Sequence, residues 1–458
     1  MSTPNTPTPL DEIKTLFSRF SHLRVLRHCL GIHPIAMPRT PDPDLARVRC
    51  TAAQLAQHTV LICIDIEHWT LNSDEMTELG LGVLHTQDVL ALARGRNYGD
   101  HGFNLMARAG FHLLRLREKA HLASLNARSG GGGPKGNSFG QARFVTFAEA
   151  RDLLRQLVVQ RVTHDGVLRG CARPIVLLGH SVAHDREHLR GKDLGFDVDA
   201  LGTVVKVIDT QCIVAETKCW FGARDPIGLD KLAEKLEFEH TNAHTAANDA
   251  ARTLVAGVLL ALPEQARRAC QRTTQEVVHD LETVSVGNFV PLGGADRYCW
   301  LCGSVGHMGD ANCPFSNRTL QCDECMSRGL VREAAFHVAL HCPIVALEIA
   351  EERLAWYREQ GSWRPKHRFD SRGRLQSFAP NAPVATPASS AEMAARRQWY
   401  DSQRQTGPLR FFTWYGRAFS SSPLRHAPPA GQKPHWNTRR GGYPAQNQRG
   451  GRSRDRRR

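Results

Sequence analysis

The stretch Thr59-Val-Leu-Ile-Cys-Ile-Asp-Ile-Glu67 is a continuous apolar run that ends in two carboxylates, Asp65 and Glu67. Such a run reads as a strand buried on both faces. Side chains alternate along a strand with a period of two, so Asp65 and Glu67 share one face at its end. Like charges held that close are costly unless a cation neutralises them. Divalent ions bound by carboxylates activate water and stabilise in-line displacement at phosphate. Taken alone, Asp-x-Glu suits a solvated strand end just as well.

Outward from that run, Glu78-Leu-Gly-Leu-Gly-Val-Leu-His85 suits a second strand pairing with it, and Arg173-Pro-Ile-Val-Leu-Leu-Gly179 reads as another buried strand. Val204 to Asp209 is a further strand. Helical patterns cover Phe147 to Gln160, His184 to Arg190, Leu229 to Leu236 and His244 to Leu260. Strands alternating with helices predict a mixed α/β sheet covered on both faces. Upstream, residues 1–9 read as disordered, Leu10 to Leu30 as one amphipathic helix, and Pro38, Pro41 and Pro43 as a connector. Residues 90–145 fit no simple period and read as a long insertion, ordered in part, with a Gly-rich flexible loop from Ser129 to Gly140. One more helix is expected over 264–285 and a charged one over 345–359.

Two further elements follow strands or open helices. Gly179-His-Ser-Val-Ala-His-Asp185 places a carboxylate in the first turn of a helix after a buried strand, near the sheet edge where α/β folds bind ligands. Helix capping is the plainer account of it. His244-Thr-Ala-Ala-Asn-Asp249 pairs a group that exchanges protons near neutral pH with another acid. A surface histidine and a charge on a helix face explain those two residues singly.

Taken in order, Asp-x-Glu at a strand end, Gly-His-x4-Asp after a strand and His-x4-Asp opening a helix resemble the DEDDh exonuclease superfamily, which has a ribonuclease H-like fold. The Leu79-Gly-Leu-Gly-Val83 and Val207-Ile-Asp-Thr210 strands fit the same pattern. The resemblance implies a two-metal site for Mg²⁺ or Mn²⁺ held by Asp65, Glu67 and Asp249, with Asp185 completing it. It also implies His244 as general base and a nucleoside 5′-monophosphate as product. Two departures stand out: the wide separation of Asp65 from Asp185, and His184 where an aromatic is commoner. The insertion's Leu116 to His121 and Phe139 to Val145 stretches resemble a fungal subgroup of DEDDh proteins.

Six of the thirteen cysteines fall between Cys299 and Cys342. Cys299-x2-Cys302-x4-His307-x5-Cys313 is one residue longer than a retroviral-type zinc knuckle. Cys322-x2-Cys325-x11-His337-x4-Cys342 repeats the ligand order with a longer loop, and His341 offers an alternative to Cys342. Each set supplies the four soft or borderline donors that tetrahedral zinc requires, which predicts two Zn²⁺ ions. Trp300 and Phe315 are candidate base-stacking residues, and a purely structural role for the modules is the equal alternative. The remaining seven cysteines read as buried free thiols.

Net charge is +14, yet from Ser362 onward 20 Lys and Arg face 4 Asp and Glu, a net of +16 that leaves −2 for the rest. Arginines among Gly-Gly pairs and aromatics such as Trp399, Phe411 and Trp414 suit a single-strand nucleic-acid arm. The expected organisation is an N-terminal helix and linker (1–57), a DEDDh exonuclease-like domain (58–265), a helix and linker (266–295), two zinc modules (296–345), a helix (346–361) and a disordered Arg/Gly-rich tail (362–458). No apolar run reaches membrane-spanning length, and the N-terminus lacks an apolar leader, so an intracellular protein, nuclear or cytoplasmic, is expected. The expected activity is a 3′–5′ exonuclease on single-stranded RNA. A DNA substrate and a non-catalytic ribonucleoprotein scaffold are the alternatives.

Overall fold

In the computed structural model of the chain, the apolar run ending at Glu67 lies within β1 (Val60–Trp69). The structure describes residues 7–349 apart from 70–71, 123–133, 192, 221–225, 309–312, 316–319, 336, 343 and 347. The basic tail and most of the helix expected over 345–359 lie outside the described residues.

β1 pairs antiparallel with β2 (Asn72–His85), and β2 antiparallel with β3 (Gly110–Leu116). β4 (Gln141–Val145) runs parallel to β3, β5 (Ile175–Gly179) parallel to β1, and β6 (Val204–Asp209) parallel to β5. The mixed sheet therefore has the order β4-β3-β2-β1-β5-β6. Its helices are α1 (Pro9–Ser18), α2 (His22–Cys29), α3 (Pro43–Leu55), α4 (Thr86–Arg94), α5 (Phe103–Met106) and α6 (Phe147–Val158). They continue with α7 (Val182–Arg190), α8 (Thr210–Thr217), α9 (Leu229–Lys235), α10 (Ala246–Ala261), α11 (Glu264–Arg268) and α12 (Thr274–Gly287). Among the described residues, no helix is long and apolar enough to cross a membrane.

Side-chain parity in β1 decides where the acids point. Val60, Ile62, Ile64 and Ile66 pack into the layer formed by α6 and α7, with Leu154, Val182 and Leu189. Leu61 and Cys63 join the opposite layer, which includes Leu254 and Val255 of α10. Asp65 and Glu67 continue the second parity and so emerge on the α10 side. Every residue of α10 is buried, which makes this helix the centre of that layer.

The structure departs from the sequence expectation at several elements. Residues 10–30 form two helices because the Ser21 side chain accepts from Arg24 N and caps α2. Thr8 closes a capping box with Asp11, so helical structure begins at Pro9 within the segment expected to be disordered. The supposed insertion at 90–145 contains β3 and β4. Its pattern was obscured by His112 and Arg115, polar side chains that are nonetheless buried; Arg115 pairs with the buried Glu78 at 3.1 Å. The single helix over 264–285 is two, because Thr273 and Glu276 form a capping box that starts α12 afresh. Of the seven scattered cysteines only Cys29 and Cys63 are buried, and Cys50 and Cys212 are exposed.

Candidate active site

Gly80 of β2 makes room for the start of α10. A Cβ on Gly80 would sit 1.9 Å from the Ala246 carbonyl oxygen, so only glycine admits the helix this close. The helix start is tied down from both neighbouring strands: Ala246 N donates to Glu78 Oε2 at 3.3 Å, and the Cys63 thiol donates to Ala250 O at 3.0 Å. That docking carries His244 and Asp249 to the end of β1. His244 adopts φ +66°, an uncommon left-handed conformation for a non-glycine residue. It explains why α10 begins at Ala246 rather than at His244. The turn is held by His244 N, which donates to Asp249 Oδ2 at 3.1 Å.

From this turn the His244 ring reaches Glu67, with Nδ1 3.4 Å from Oε1. Glu67, His244 and Asp249 bring one ligand atom each within 4.8 Å of one another. Asp185 arrives from the first turn of α7, and its Oδ1 accepts from Ile66 N at 3.1 Å, between the two acids of β1. The approach to α7 is set by Asp209, whose carboxylate accepts from Ser181 N at 3.1 Å and Val182 N at 3.2 Å. His180 is fixed by Thr210 Oγ1 at 2.7 Å and Ile227 O at 2.9 Å.

The electrostatics follow from this crowding. Burial raises the Asp65 carboxyl well above the ordinary range, and Asp249, Asp185 and Glu67 push it in the same direction. Burial likewise raises Asp185, and it pushes Glu67 up to about 7 although His244 pulls the other way. The hydrogen bond to Glu67 raises His244 to about 9. Asp65 Oδ2 is buried with no hydrogen-bond partner. A buried, unsatisfied carboxylate oxygen among further acids is a poor arrangement for a metal-free fold and a good one for hard divalent cations, which take carboxylate oxygens. The residues present thus fit the ions that the sequence implies.

Four supporting residues escaped the sequence reading. Asp209 holds the α7 turn, and the Glu78–Arg115 pair supports the α10 start. His240 donates from Nε2 to Asp249 Oδ1 at 2.6 Å. His240 lies in the irregular connection between α9 and α10, where no periodicity singles it out.

The cysteine modules form two separate clusters. Cys299 and Cys302 sit around the turn between β7 (Tyr298–Cys299) and β8 (Ser304–Val305), with Gly303 at φ +74°. Cys322 precedes α13 (Asp323–Ser327), Cys325 lies within it, and α14 (Val331–Ala334) follows. Cys299, Cys302, His307 and Cys313 bring their donor atoms within 4.8 Å of one another, and so do Cys322, Cys325, His337 and Cys342. Both sets suit tetrahedral zinc. His341 does not replace Cys342: its Nδ1 lies 2.6 Å from the Trp300 carbonyl and its Nε2 2.9 Å from the Arg117 carbonyl. Trp300 is partly buried against Ala120, Phe144 and Tyr298, whereas Phe315 is exposed.

Residues 60–260, from the first residue of β1 almost to the end of α10, match the DEDDh-type family model described as DNA polymerase III subunit epsilon-like, C-terminal domain. No curated protein matches the chain.

Proposed function

We propose, from the match of residues 60–260 to a DEDDh-type exonuclease family model, that the chain is a 3′–5′ exonuclease for single-stranded nucleic acid, RNA before DNA, releasing nucleoside 5′-monophosphates. The observation that carries this reading is the convergence of Asp65, Glu67, Asp185, His244 and Asp249 at one end of the sheet, with an unpartnered Asp65 oxygen among them.

Asp65, Glu67 and Asp249, with Asp185, are the residues that would hold two divalent ions. Bound there, such ions supply an activated water and neutralise charge on the phosphate oxygens. The chain's own part is to present carboxylate oxygens from β1, α7 and α10 on one side of the site, and a half-exposed imidazole, His244, opposite Glu67. His244 Nδ1 is oriented by Glu67, which makes Nε2 the nitrogen to accept a proton from the attacking water. Its elevation to about 9 arises first from the hydrogen bond to Glu67 and further from the Glu67 charge. Neutralising that charge brings His244 back toward the range in which an imidazole serves as a base near neutral pH.

Strand capture is assigned to the basic tail. Residues 296–345 carry four arginines against five acidic residues, a balance unsuited to the electrostatic binding of phosphate. The tail's arginines and interleaved aromatics supply both charge and stacking faces. DNA as substrate is the second reading, favoured by the description of the matched family, which refers to a DNA polymerase subunit.

Incubation of the full chain with a 5′-labelled single strand and Mn²⁺ is expected to give a ladder shortened stepwise from the 3′ end, with mononucleotides as product. RNA and DNA strands of one sequence, run side by side, separate the two substrates. Release that persists in chelator, or that Asp65→Ala leaves intact, rejects the enzyme reading.

A further inference from the structure

Asp249 has both of its carboxylate oxygens engaged by the protein. Oδ2 accepts from the His244 backbone N at 3.1 Å, and Oδ1 accepts from His240 Nε2 at 2.6 Å. The His240 ring is held from its far side by Asp230, to which Nδ1 donates. Asp230 is in the first turn of α9, so the bridge Asp230–His240–Asp249 spans from α9 to α10. The His240 side chain is only 6% exposed, while that of Asp230 is 73% exposed.

The backbone around His240 is fixed by contacts independent of the ring. Arg252 NH1 donates to Thr241 O at 2.6 Å, and Asn248 Nδ2 donates to Asn242 O at 3.3 Å. Glu239 N donates to Gln275 Oε1 at 2.7 Å. Glu237, Asn242 and His244 all have φ between +50° and +66°. Left-handed non-glycine residues persist where the surroundings over-determine them, and they gather at functional sites. Three in eight residues, beside an acid of the cluster, mark a loop whose conformation is kept for what it holds.

The structure assigns His240 a positioning role: bridged by Asp230, it fixes the rotamer of Asp249 so that the remaining lone pairs of that carboxylate face the divalent-cation site. This rests on the nuclease reading above. His240 touches neither substrate nor reacting atoms. A ligand carboxylate oriented by an outer hydrogen bond binds its ion more tightly than a free one, and removing such partners costs about 10–100-fold in affinity.

The test is Mn²⁺ titration of the zinc-loaded full chain, followed by calorimetry or by the electron paramagnetic resonance of free Mn²⁺. The component lost in Asp65→Asn is counted as the active-site ions. His240→Ala is expected to weaken that component by about tenfold. Half-saturating Mn²⁺ for nucleotide release should rise in parallel, with the rate largely restored at saturating Mn²⁺. His240→Gln keeps one amide donor toward Asp249 and should recover part of the loss. Asp230→Asn, at an exposed position that cannot disturb the core, should give a smaller weakening and guards against an unfolded His240→Ala. Wild-type Mn²⁺ affinity in both His240→Ala and Asp230→Asn overturns the assignment while leaving the nuclease reading intact. Wild-type chain that neither binds Mn²⁺ nor releases nucleotides removes both.

Discussion

The acid cluster and the cysteine modules both gather side chains that suit cations, and they are built in opposite ways. The acid cluster gathers Asp65, Glu67, Asp185 and Asp249 from β1, α7 and α10, so the whole sheet is needed to bring it together. Each cysteine module takes its four donors from one short segment. In the acid cluster, burial and mutual repulsion leave Asp65 and Asp185 with strongly raised carboxyl groups. In the modules, the same burial drives groups toward their neutral forms: Cys299 up to about 12 and His337 down to about 4. The difference teaches which way stability flows. The nuclease fold supports a repulsive cluster, whereas the modules have so little apolar core that the zinc their donors suit would have to support them. The second module's buried cluster consists of Cys322, Cys325, Ala334 and Cys342.

The largest expected effect breaks the modules. Cys325→Ser removes a buried donor from a set of four that suits zinc; in isolated zinc peptides, zinc binding is worth about 10–16 kcal/mol. Metal analysis should fall from about two zincs per chain to about one, and residues 320–346 should become sensitive to limited proteolysis. A variant that stays protease-resistant with one zinc fewer would show that the second module folds by packing alone.

Asp65→Asn sharpens the contrast from the other side. Activity should fall by about 10²–10³ as a charge on the reacting centre is lost. In chelator, however, the melting temperature should rise, because one of four crowded carboxylates has been neutralised. A gain of about 1 kcal/mol would appear as roughly 2–4 °C in a domain of this size. A fall in melting temperature would make Asp65 a structural anchor and erase the distinction between the two regions.

How much of this contrast could be read from sequence depended on the spacing of the residues involved. Asp65 and Glu67 were legible because strand parity acts over two residues, and the cysteine sets because ligand spacing is local. β3 was not, since Arg115 breaks its apolar run and its partner Glu78 lies on a different strand. His240 was invisible for a related reason: its value comes from contacts with Asp230 and Asp249, set by the packing of α9 against α10. The separation of Asp65 from Asp185 is accounted for by β3 and β4, two strands of the sheet that lie between them in sequence.

A histidine outside both donor clusters provides a control on pH. His28 is buried, with Ile35 N donating to its Nδ1 at 3.0 Å and its Nε2 donating to Ala56 O at 3.1 Å. One acceptor and one donor are the needs of a neutral ring, and burial lowers His28 to about 4. The unfolded chain takes up this proton near 6.5, while the fold resists it until about 4. Stability from this site is therefore complete above 6.5 and lost as pH falls through that window, by at most about 3 kcal/mol. Thermal melts of wild type and His28→Gln between pH 7 and pH 4 should converge on acidification. Parallel curves would show that His28 does not contribute to the acid sensitivity.

The smallest effect concerns how the two regions are joined. Tyr298 packs with Phe144 and Ala120, Phe144 N donates to Ala295 O at 2.7 Å, and Arg117 lies over the Tyr298 ring at 5.9 Å. His341 is the bolt, its Nδ1 2.6 Å from the Trp300 carbonyl in the first module and its Nε2 2.9 Å from the Arg117 carbonyl after β3. β3 ends level with Glu67 in the sheet, through the registers Glu67–Glu78 and Glu78–Arg115. The modules therefore dock at the sheet end that carries the acids. His341→Ala should leave two zincs in place while reducing hydrogen-exchange protection over Arg117 to Leu122, by about 1–3 kcal/mol for lost buried hydrogen bonds. Loss of one zinc instead would make His341 a ligand. Unchanged protection would mean that the remaining contacts around Tyr298, Phe144 and Ala295 suffice to join the modules to the nuclease sheet.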